Sequence, residues 1–456
     1  MKDKKRRLET FSFYDFTGIA AHLTKMAEKG WLLEKMSNLG WTYRRIGPKK
    51  LTFSVCYYPK ASEFDPEPSE EQRIFHEFCE HTGWVLAAAS AQMQVFYNER
   101  EDPTPIETDP VLEIETLHAS AKRNFIPAYI LLLLLGVWSC VLFWQWFLRD
   151  FVGTLASPTN LFTGICWIAV FFLCLMELTT YYAWRAKAKK AALLGALPAS
   201  PSREKIQKLI LFFVVLVFIY WQLSVFIVGS KLFRVLSVLI LAYMITLFAV
   251  ANGVKALLKK LKVSKGLNRT VTTVTTLLVS FGIMGGITYG TLRAARDDWF
   301  GGAEEYMDLP LTVEDLLDVS YDGYIKARTG DESLLASRFT MRQHPRAGSE
   351  HAREMPSLEY TVTEVKLPSL YGLCKQSMLN ERSDEWENGQ VVFYDHYEPS
   401  DPTPWRAQEA YQVYWSNGNY LDHYLLCYEK RIVEITFFWE PTPEQMAIVA
   451  DRLSGE

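Results

Sequence analysis

Ile130-Leu131-Leu132-Leu133-Leu134-Leu135 lies inside an apolar run over residues 125–148, and its length decides the class of the protein. A helix needs about 20 residues to cross the roughly 30 Å hydrocarbon core of a bilayer. This run supplies them and ends in Trp144, Trp146 and Arg149, an aromatic and basic edge suited to the headgroup layer. Four more such runs follow, at 161–184, 209–229, 235–254 and 271–292. The last begins with Thr270, Thr272, Thr273, Thr275 and Thr276, but carries no charge between Arg269 and Arg293. Its hydroxyls can bond back to helix carbonyls. Residues 125–296 therefore read as an all-α transmembrane bundle of five helices, and the lipid bilayer is the first partner.

Averaged over 456 residues, with 49% hydrophobic content and a net charge of −4, the chain resembles an ordinary soluble protein. Divided by region, it does not. Residues 1–124 hold 17 Lys/Arg against 19 Asp/Glu, residues 125–296 hold 18 against 3, and residues 297–456 hold 13 against 30. The regional charges are thus −2, +15 and −17. Lys and Arg are retained on the cytoplasmic side of short loops. Loops 185–208 and 255–269 carry 13 of them, whereas loops 149–160 and 230–234 carry 3. The N-terminus is therefore expected in the cytoplasm and the C-terminal domain outside, although Arg293 and Arg296 weigh mildly the other way. Met1-Lys2-Asp3-Lys4-Lys5-Arg6-Arg7 is followed by no apolar core, so the first span rather than a cleavable signal is expected to direct insertion.

Residues 1–103 read as a cytoplasmic α+β domain. Leu8 to Phe13 is read as a strand, and Thr17 to Lys29 places Ile19, Leu23 and Met26 on one helix face, stopped by Gly30. Two extended stretches follow, broken near Asn38-Leu39-Gly40 and Gly47-Pro48, with Leu51 to Val55 alternating as a half-buried strand. Ser69-Glu70-Glu71-Gln72 is a capping box opening a second helix, whose inward face is read as Ile74, Phe75, Phe78 and Cys79. Gly83 ends it, and a strand is expected from Trp84 to Tyr97. Helix–Gly–Trp–strand thus occurs twice, which predicts βαββαβ, a ferredoxin-like domain with both Trp31 and Trp84 packing helix onto sheet. Residues 104–124 form an acidic, Pro-bearing linker and a juxtamembrane helix.

Residues 297–456 read as a second, extracytoplasmic α+β domain. Thr312 caps a short helix, Ser357 to Lys366 alternates as a strand, and Tyr411–Trp415, Tyr420–Tyr428 and Arg431–Trp439 form a meander turned first at Asn417-Gly418. Thr442-Pro443-Glu444-Gln445 caps a final helix. A charge of −17 would repel nucleic acid and favour a cationic ligand or basic peptide.

Candidate chemistry is sparse. His76 and His81 are five apart, about 140° round a helix, whereas one-face metal chelation needs i and i+4. Asp395-His396 and Asp422-His423 are set on what the pattern makes neighbouring strands, and could share a zinc ion only by giving one side chain each. The alternative is that they are solvent-facing polar residues. Cys374 and Cys427 are the two cysteines of the outer domain, either a disulfide or two buried thiols. No nucleophile elbow, Walker loop or dinucleotide glycine pattern occurs, so neither a cofactor nor enzymatic activity is expected. Glu177 is the one acid read as lying within the bilayer, about two turns from the cytoplasmic end of the second span. It reads either as a functional group or as a structural one, hydrogen-bonded to another span or snorkelling toward Arg185. Gln145, Gln222 and Asn252 read as interhelical bonds, and Gly282, Gly286 and Gly290 as a helix-packing face for a protein partner or second copy.

Tyr14-Asp15-Phe16, Met26-Ala27-Glu28-Lys29-Gly30-Trp31 and Gly83-Trp84, followed by apolar spans, resemble a family of bacterial membrane proteins, chiefly from Firmicutes. That family is defined by an N-terminal domain of unknown function and is often encoded beside PadR-type regulators. The resemblance implies a bacterial plasma membrane and a regulatory context, and supplies no catalytic residues. Two expectations result. One is a non-enzymatic sensor or regulatory scaffold coupling an outer domain to an inner one; the other is a transporter or export-complex subunit with Glu177 in its pathway.

Overall fold

The computed structural model describes residues 3–455 except 38–39, 230, 298, 300–307, 318–322, 347–354, 381–384, 388–389, 394 and 416–417, and for 385–395 the backbone alone. The chain divides into two compact units: one of Met1–Ser139, Cys166–Leu216 and Leu241–Gly285, the other of Cys140–Ile165, Val217–Ile240 and Gly286–Glu456.

The N-terminal module is a duplication rather than a ferredoxin-like sheet. Its first half is β1 (Lys4–Arg7), α1 (Phe16–Glu28), β2 (Trp31–Lys35) and β3 (Trp41–Arg45); its second is β4 (Thr52–Tyr57), α2 (Glu70–His81), β5 (Val85–Ser90) and β6 (Met93–Asn98). Each half makes its own three-stranded antiparallel sheet, ordered β1-β3-β2 and β4-β6-β5. The expected βαββαβ is thus corrected to βαββ twice. Trp84 to Tyr97 is a hairpin, turned at Ala91 with φ of 48°, and an alanine in the left-handed region is not a turn that sequence advertises. The first strand is Lys4–Arg7, not Leu8–Phe13; its exposed, charged side chains carry no apolar alternation.

Local chemistry sets the helices. The Asp15 carboxylate accepts from Gly18 N at 3.0 Å and starts α1, which buries Ile19, Leu23 and Met26. Ser69 caps α2 by accepting from Gln72 N at 3.2 Å. Here Ile74 and Phe78, expected inside, are 60% and 55% exposed, while Gln72 and Cys79 are buried. Trp84 is buried with Cys79 and Phe96, but Trp31 is half-buried and flanked by Lys5 and Arg45. Asp109 caps α3 (Pro110–Arg123), which leads into the membrane helices.

Five helices are long and apolar enough to cross a membrane: α4 (Phe125–Arg149), α6 (Pro158–Ala192), α7 (Glu204–Ile227), α8 (Lys231–Lys260) and α9 (Lys265–Arg296), with a short α5 (Phe151–Ala156) between the first two. Large apolar side chains face outward along them, Ile245 and Phe281 being 70% and 73% exposed, a surface that water would penalise and lipid would cover. The chain is therefore a multi-pass membrane protein. Asn252, read as bonding to another span, donates to Phe248 O of its own helix at 2.8 Å, and Gln145 is exposed. Cross-helix bonds instead join Tyr243 and Ser280 at 2.7 Å and Trp221 and Thr159 at 3.1 Å.

The C-terminal module opens with α10 (Val313–Leu316) and is built on β7 (Tyr324–Glu332), β8 (Ala336–Pro345), β9 (Leu358–Val365), α11 (Pro368–Asn380), β10 (Glu385–Glu387), β11 (Gln390–Phe393), β12 (Asp395–Ser400), β13 (Glu409–Trp415), β14 (Tyr420–Cys427), β15 (Arg431–Phe437) and α12 (Pro443–Leu453). Seven strands form one antiparallel sheet ordered β12-β13-β14-β15-β9-β8-β7, beside a β10-β11 pair. The expected meander is its β13-β14-β15 portion; of its first turn, Gly418 has φ of 91° and Asn417 lies outside the described residues. Alternation splits β14 between two cores: Tyr424, Leu426 and Tyr428 beside it pack under α10 and α12, while Leu425 and Cys427 pack under α5 and α11. The latter core contains Val152, Leu155 and Ala156, so the α4–α6 connection is part of this module's interior.

Candidate functional site

Glu177 sits on α6, whose 35 residues extend about 52 Å, well beyond the hydrocarbon thickness. The last third of that helix buries Tyr181, Trp184, Ala188 and Ala192 in the N-terminal module's own core. Glu177 is thereby fully buried between the β1–α1 segment and the start of α7. Ser12 Oγ donates to its Oε1 at 3.0 Å, and Gln207 Nε2, on the first turn of α7, donates to the same oxygen at 2.6 Å. Gln207 also donates to Ser12 Oγ at 3.0 Å, closing a three-residue ring. Three segments distant in sequence are joined at one carboxylate, and a hydrogen-bonded buried acid holds them at defined distances.

A second clasp adjoins it. Ser200 Oγ, on the α6–α7 connection, donates to Asp15 Oδ1 at 3.0 Å, and Ser200 N donates to Thr17 Oγ1 at 3.0 Å. Tyr14 is fully buried among the rings of Phe125, Tyr181 and Trp184. Burial, then the negative charge of Glu177, pushes its phenol well above the usual range, so it stays neutral. On the other flank the acidic segment Glu63 to Glu67 meets the basic α8–α9 turn: Lys255 Nζ lies 2.8 Å from Glu63, Lys262 Nζ 2.7 Å from Glu67, and Asn268 Nδ2 donates to Phe64 O at 3.1 Å. The basic loops at both helix turns thus dock on the N-terminal module. No periodicity could have found these contacts, since Ser12 and Glu177 are 165 residues apart.

The other unit has its own partly buried polar group. Arg338 on β8 places Nη1 3.0 Å from Asp150, the residue that caps α5, and Nη2 3.6 Å from Glu434 on β15. Tyr397 donates to Glu434 at 3.0 Å and contacts His423 Nε2 at 2.9 Å, while His423 Nδ1 lies 2.5 Å from Thr436 Oγ1. Burial alone would raise the Glu434 carboxyl, but the hydrogen bonds of His423 and Tyr397 and the charge of Arg338 hold it below the usual range. Ser333 Oγ donates to Leu155 O at 2.6 Å, and Leu334 N donates to the Tyr220 hydroxyl of α7 at 3.0 Å.

β13 lies between β12 and β14, so His396 and His423 are not on neighbouring strands; His396 instead contacts Glu398 at 3.2 Å, and the Asp395 side chain lies outside the described residues. His76 contacts Gln94 at 2.7 Å. No group of three or more metal-ligating side chains occurs among the described residues. Cys374 and Cys427 are separate buried thiols, pushed by burial up to about 11 and about 12. Gly282, Gly286 and Gly290 are exposed, and among the described residues a Cβ at any of them would meet nothing within 4 Å.

Residues 15–129 match the family described as protein of unknown function, DUF2812. That stretch begins at Asp15 and runs into α4, so it covers most of the duplicated module and its junction with the first membrane helix. No curated protein and no solved structure matches the chain.

Proposed function

We propose that the protein is a non-enzymatic sensor or regulatory scaffold of a bacterial plasma membrane, with the N-terminal module in the cytoplasm and the acidic C-terminal module outside. The observation that carries this reading is that each folded module grips its own set of helix ends through polar contacts: the ring around buried Glu177 with Ser12 and Gln207 in one unit, the partly buried Asp150–Arg338–Glu434 group in the other. Groups locked in this way move with the helices that carry them, which is what coupling requires. The side on which the basic loops dock supports the orientation, because loops 185–208 and 255–269 belong to the unit holding the N-terminal module. The outer module's charge of −17 suits a cationic ligand or basic peptide. The open face of Gly282, Gly286 and Gly290 suits a protein partner or a second copy of α9.

Coupling between sites is reciprocal and can be read at either end. In full-length protein in lipid nanodiscs, Arg338→Met is expected to change hydrogen exchange not only around α5 but also at Ser12–Asp15. Change confined to the C-terminal module would contradict the reading. The competing transporter reading predicts that Glu177→Gln abolishes solute movement while the fold persists.

A further inference from the structure

Between α2, α3, β4 and the linker that precedes α3 lies a cavity of about 320 Å³. Its walls are aromatic and apolar: Tyr58 and Phe75 stack with ring centroids 6.3 Å apart, and Val55, Tyr57 and Ile106 complete the lining. That volume falls in the range of small-molecule sites, about 300–1,000 Å³, which characteristically combine apolar walls with a few polar groups. Here the polar groups include the Ser54 and Thr116 hydroxyls and two carboxylates, Glu107 and Glu113, and none of the lining residues is Lys, Arg or His.

The two acids are not equivalent. Glu107 Oε1 already accepts from the backbone N–H groups of Thr108 and Asp109, at 3.0 and 3.1 Å. The carboxylate of Glu113 has no hydrogen-bond or ion-pair partner among the described residues, although it is only half-exposed. A carboxylate withdrawn from water without a donor or a cation costs free energy that a bound cation would recover. An aromatic pair beside it offers a second attraction to positive charge, through the ring faces. Cys56 and Tyr57 on β4 also line the cavity, and burial keeps both neutral.

We propose that this cavity binds a small organic cation, an amine or quaternary ammonium on an apolar body, with Glu113 as its counter-ion and Tyr58 and Phe75 as its walls. Binding there is independent of transmembrane coupling and stands whether or not the two modules communicate. Burial, with a smaller contribution from Glu107, raises the Glu113 carboxyl to about 7. The site therefore gains its charge near neutrality.

The probe is benzyltrimethylammonium, a permanent cation, titrated calorimetrically into full-length protein in nanodiscs, with neutral N,N-dimethylbenzamide as the comparison. The expected result is saturable binding of the cation, about tenfold tighter at about pH 8 than at about pH 6, as follows from a single group of pKa near 7. Glu113→Gln is expected to weaken binding at least about tenfold at the higher pH and to abolish the pH dependence. Glu107→Gln, which removes the repulsion, should move the onset of binding to lower pH. Equal affinity for cation and neutral comparison, pH-independent binding, wild-type affinity in Glu113→Gln, or no binding of the cation would each overturn the proposal. The comparison on the wild-type chain does not depend on any variant folding.

Discussion

Gln207 donates to Glu177 Oε1 at 2.6 Å, and the same amide donates to Ser12, so the start of α7, the middle of α6 and the segment before α1 meet in one ring of hydrogen bonds. Removing the acceptor leaves the buried Ser12 hydroxyl and one N–H of the half-buried Gln207 amide unsatisfied. Glu177→Ala is expected to lower the stability of the N-terminal module by about 2–4 kcal/mol, the desolvation cost of two orphaned groups. Glu177→Gln, which keeps an acceptor oxygen, should cost less. Denaturant unfolding followed by Trp fluorescence in detergent checks the order of the two, and equal stability of Glu177→Ala and wild type would refute the joint.

Glu434 predicts an acid sensitivity of defined sign. Its folded-state pKa is depressed, by hydrogen bonds and by Arg338, against an unfolded value of about 4.3. The stability it contributes is therefore present above the unfolded value and lost as pH falls through the folded one. Arg338→Met removes the cation that Asp150 and Glu434 share. Its acid-unfolding midpoint, followed by near-UV circular dichroism, should lie at higher pH than that of the wild type. An unchanged midpoint would show that Arg338 does not set the depression.

Gly330 sits on β7 with φ of 152°, and a Cβ there would lie 2.1 Å from the Arg338 carbonyl oxygen across the hairpin. Gly330→Ala must displace β8 backbone, at a cost of more than about 1 kcal/mol. Faster hydrogen exchange along β7 and β8 is the expected readout.

Cys374 and Cys427 are buried, and burial pushes their thiols far above neutral pH. Neither is expected to react with a thiol-specific reagent in the folded protein at neutral pH, and both should react once it is unfolded. Peptide mass spectrometry of the alkylated chain reads this directly.

Much of this architecture is legible from local pattern. The five spans follow from apolar length alone, and α12 from Thr442, Pro443 and Gln445, whose capping box forms as the spacing predicts. Position within a hydrophobic run is a local property, and so is a cap. The N-terminal topology is not: Ala91 turns a hairpin with neither Gly nor Asn, and Lys4–Arg7 forms a strand from charged residues because β3 offers it an edge. Ile74 and Phe78 misled for a related reason, since periodicity shows that a helix has an apolar face without showing that anything covers it. The junctions were least legible. Glu177 stands out as an acid in an apolar run, but Ser12, 165 residues away, and Arg338, 188 residues from Asp150, find their partners only through the fold.

Whether the two modules face opposite sides of the membrane is tested most directly by single exposed cysteines, Glu80→Cys on α2 and Glu444→Cys on α12, labelled with a membrane-impermeant maleimide in intact and in permeabilised cells, with the wild-type chain as the blank. The account predicts that Glu444→Cys labels in intact cells and Glu80→Cys only after permeabilisation. Labelling of both only after permeabilisation would place the two modules in the same compartment and contradict a sensor that spans the bilayer.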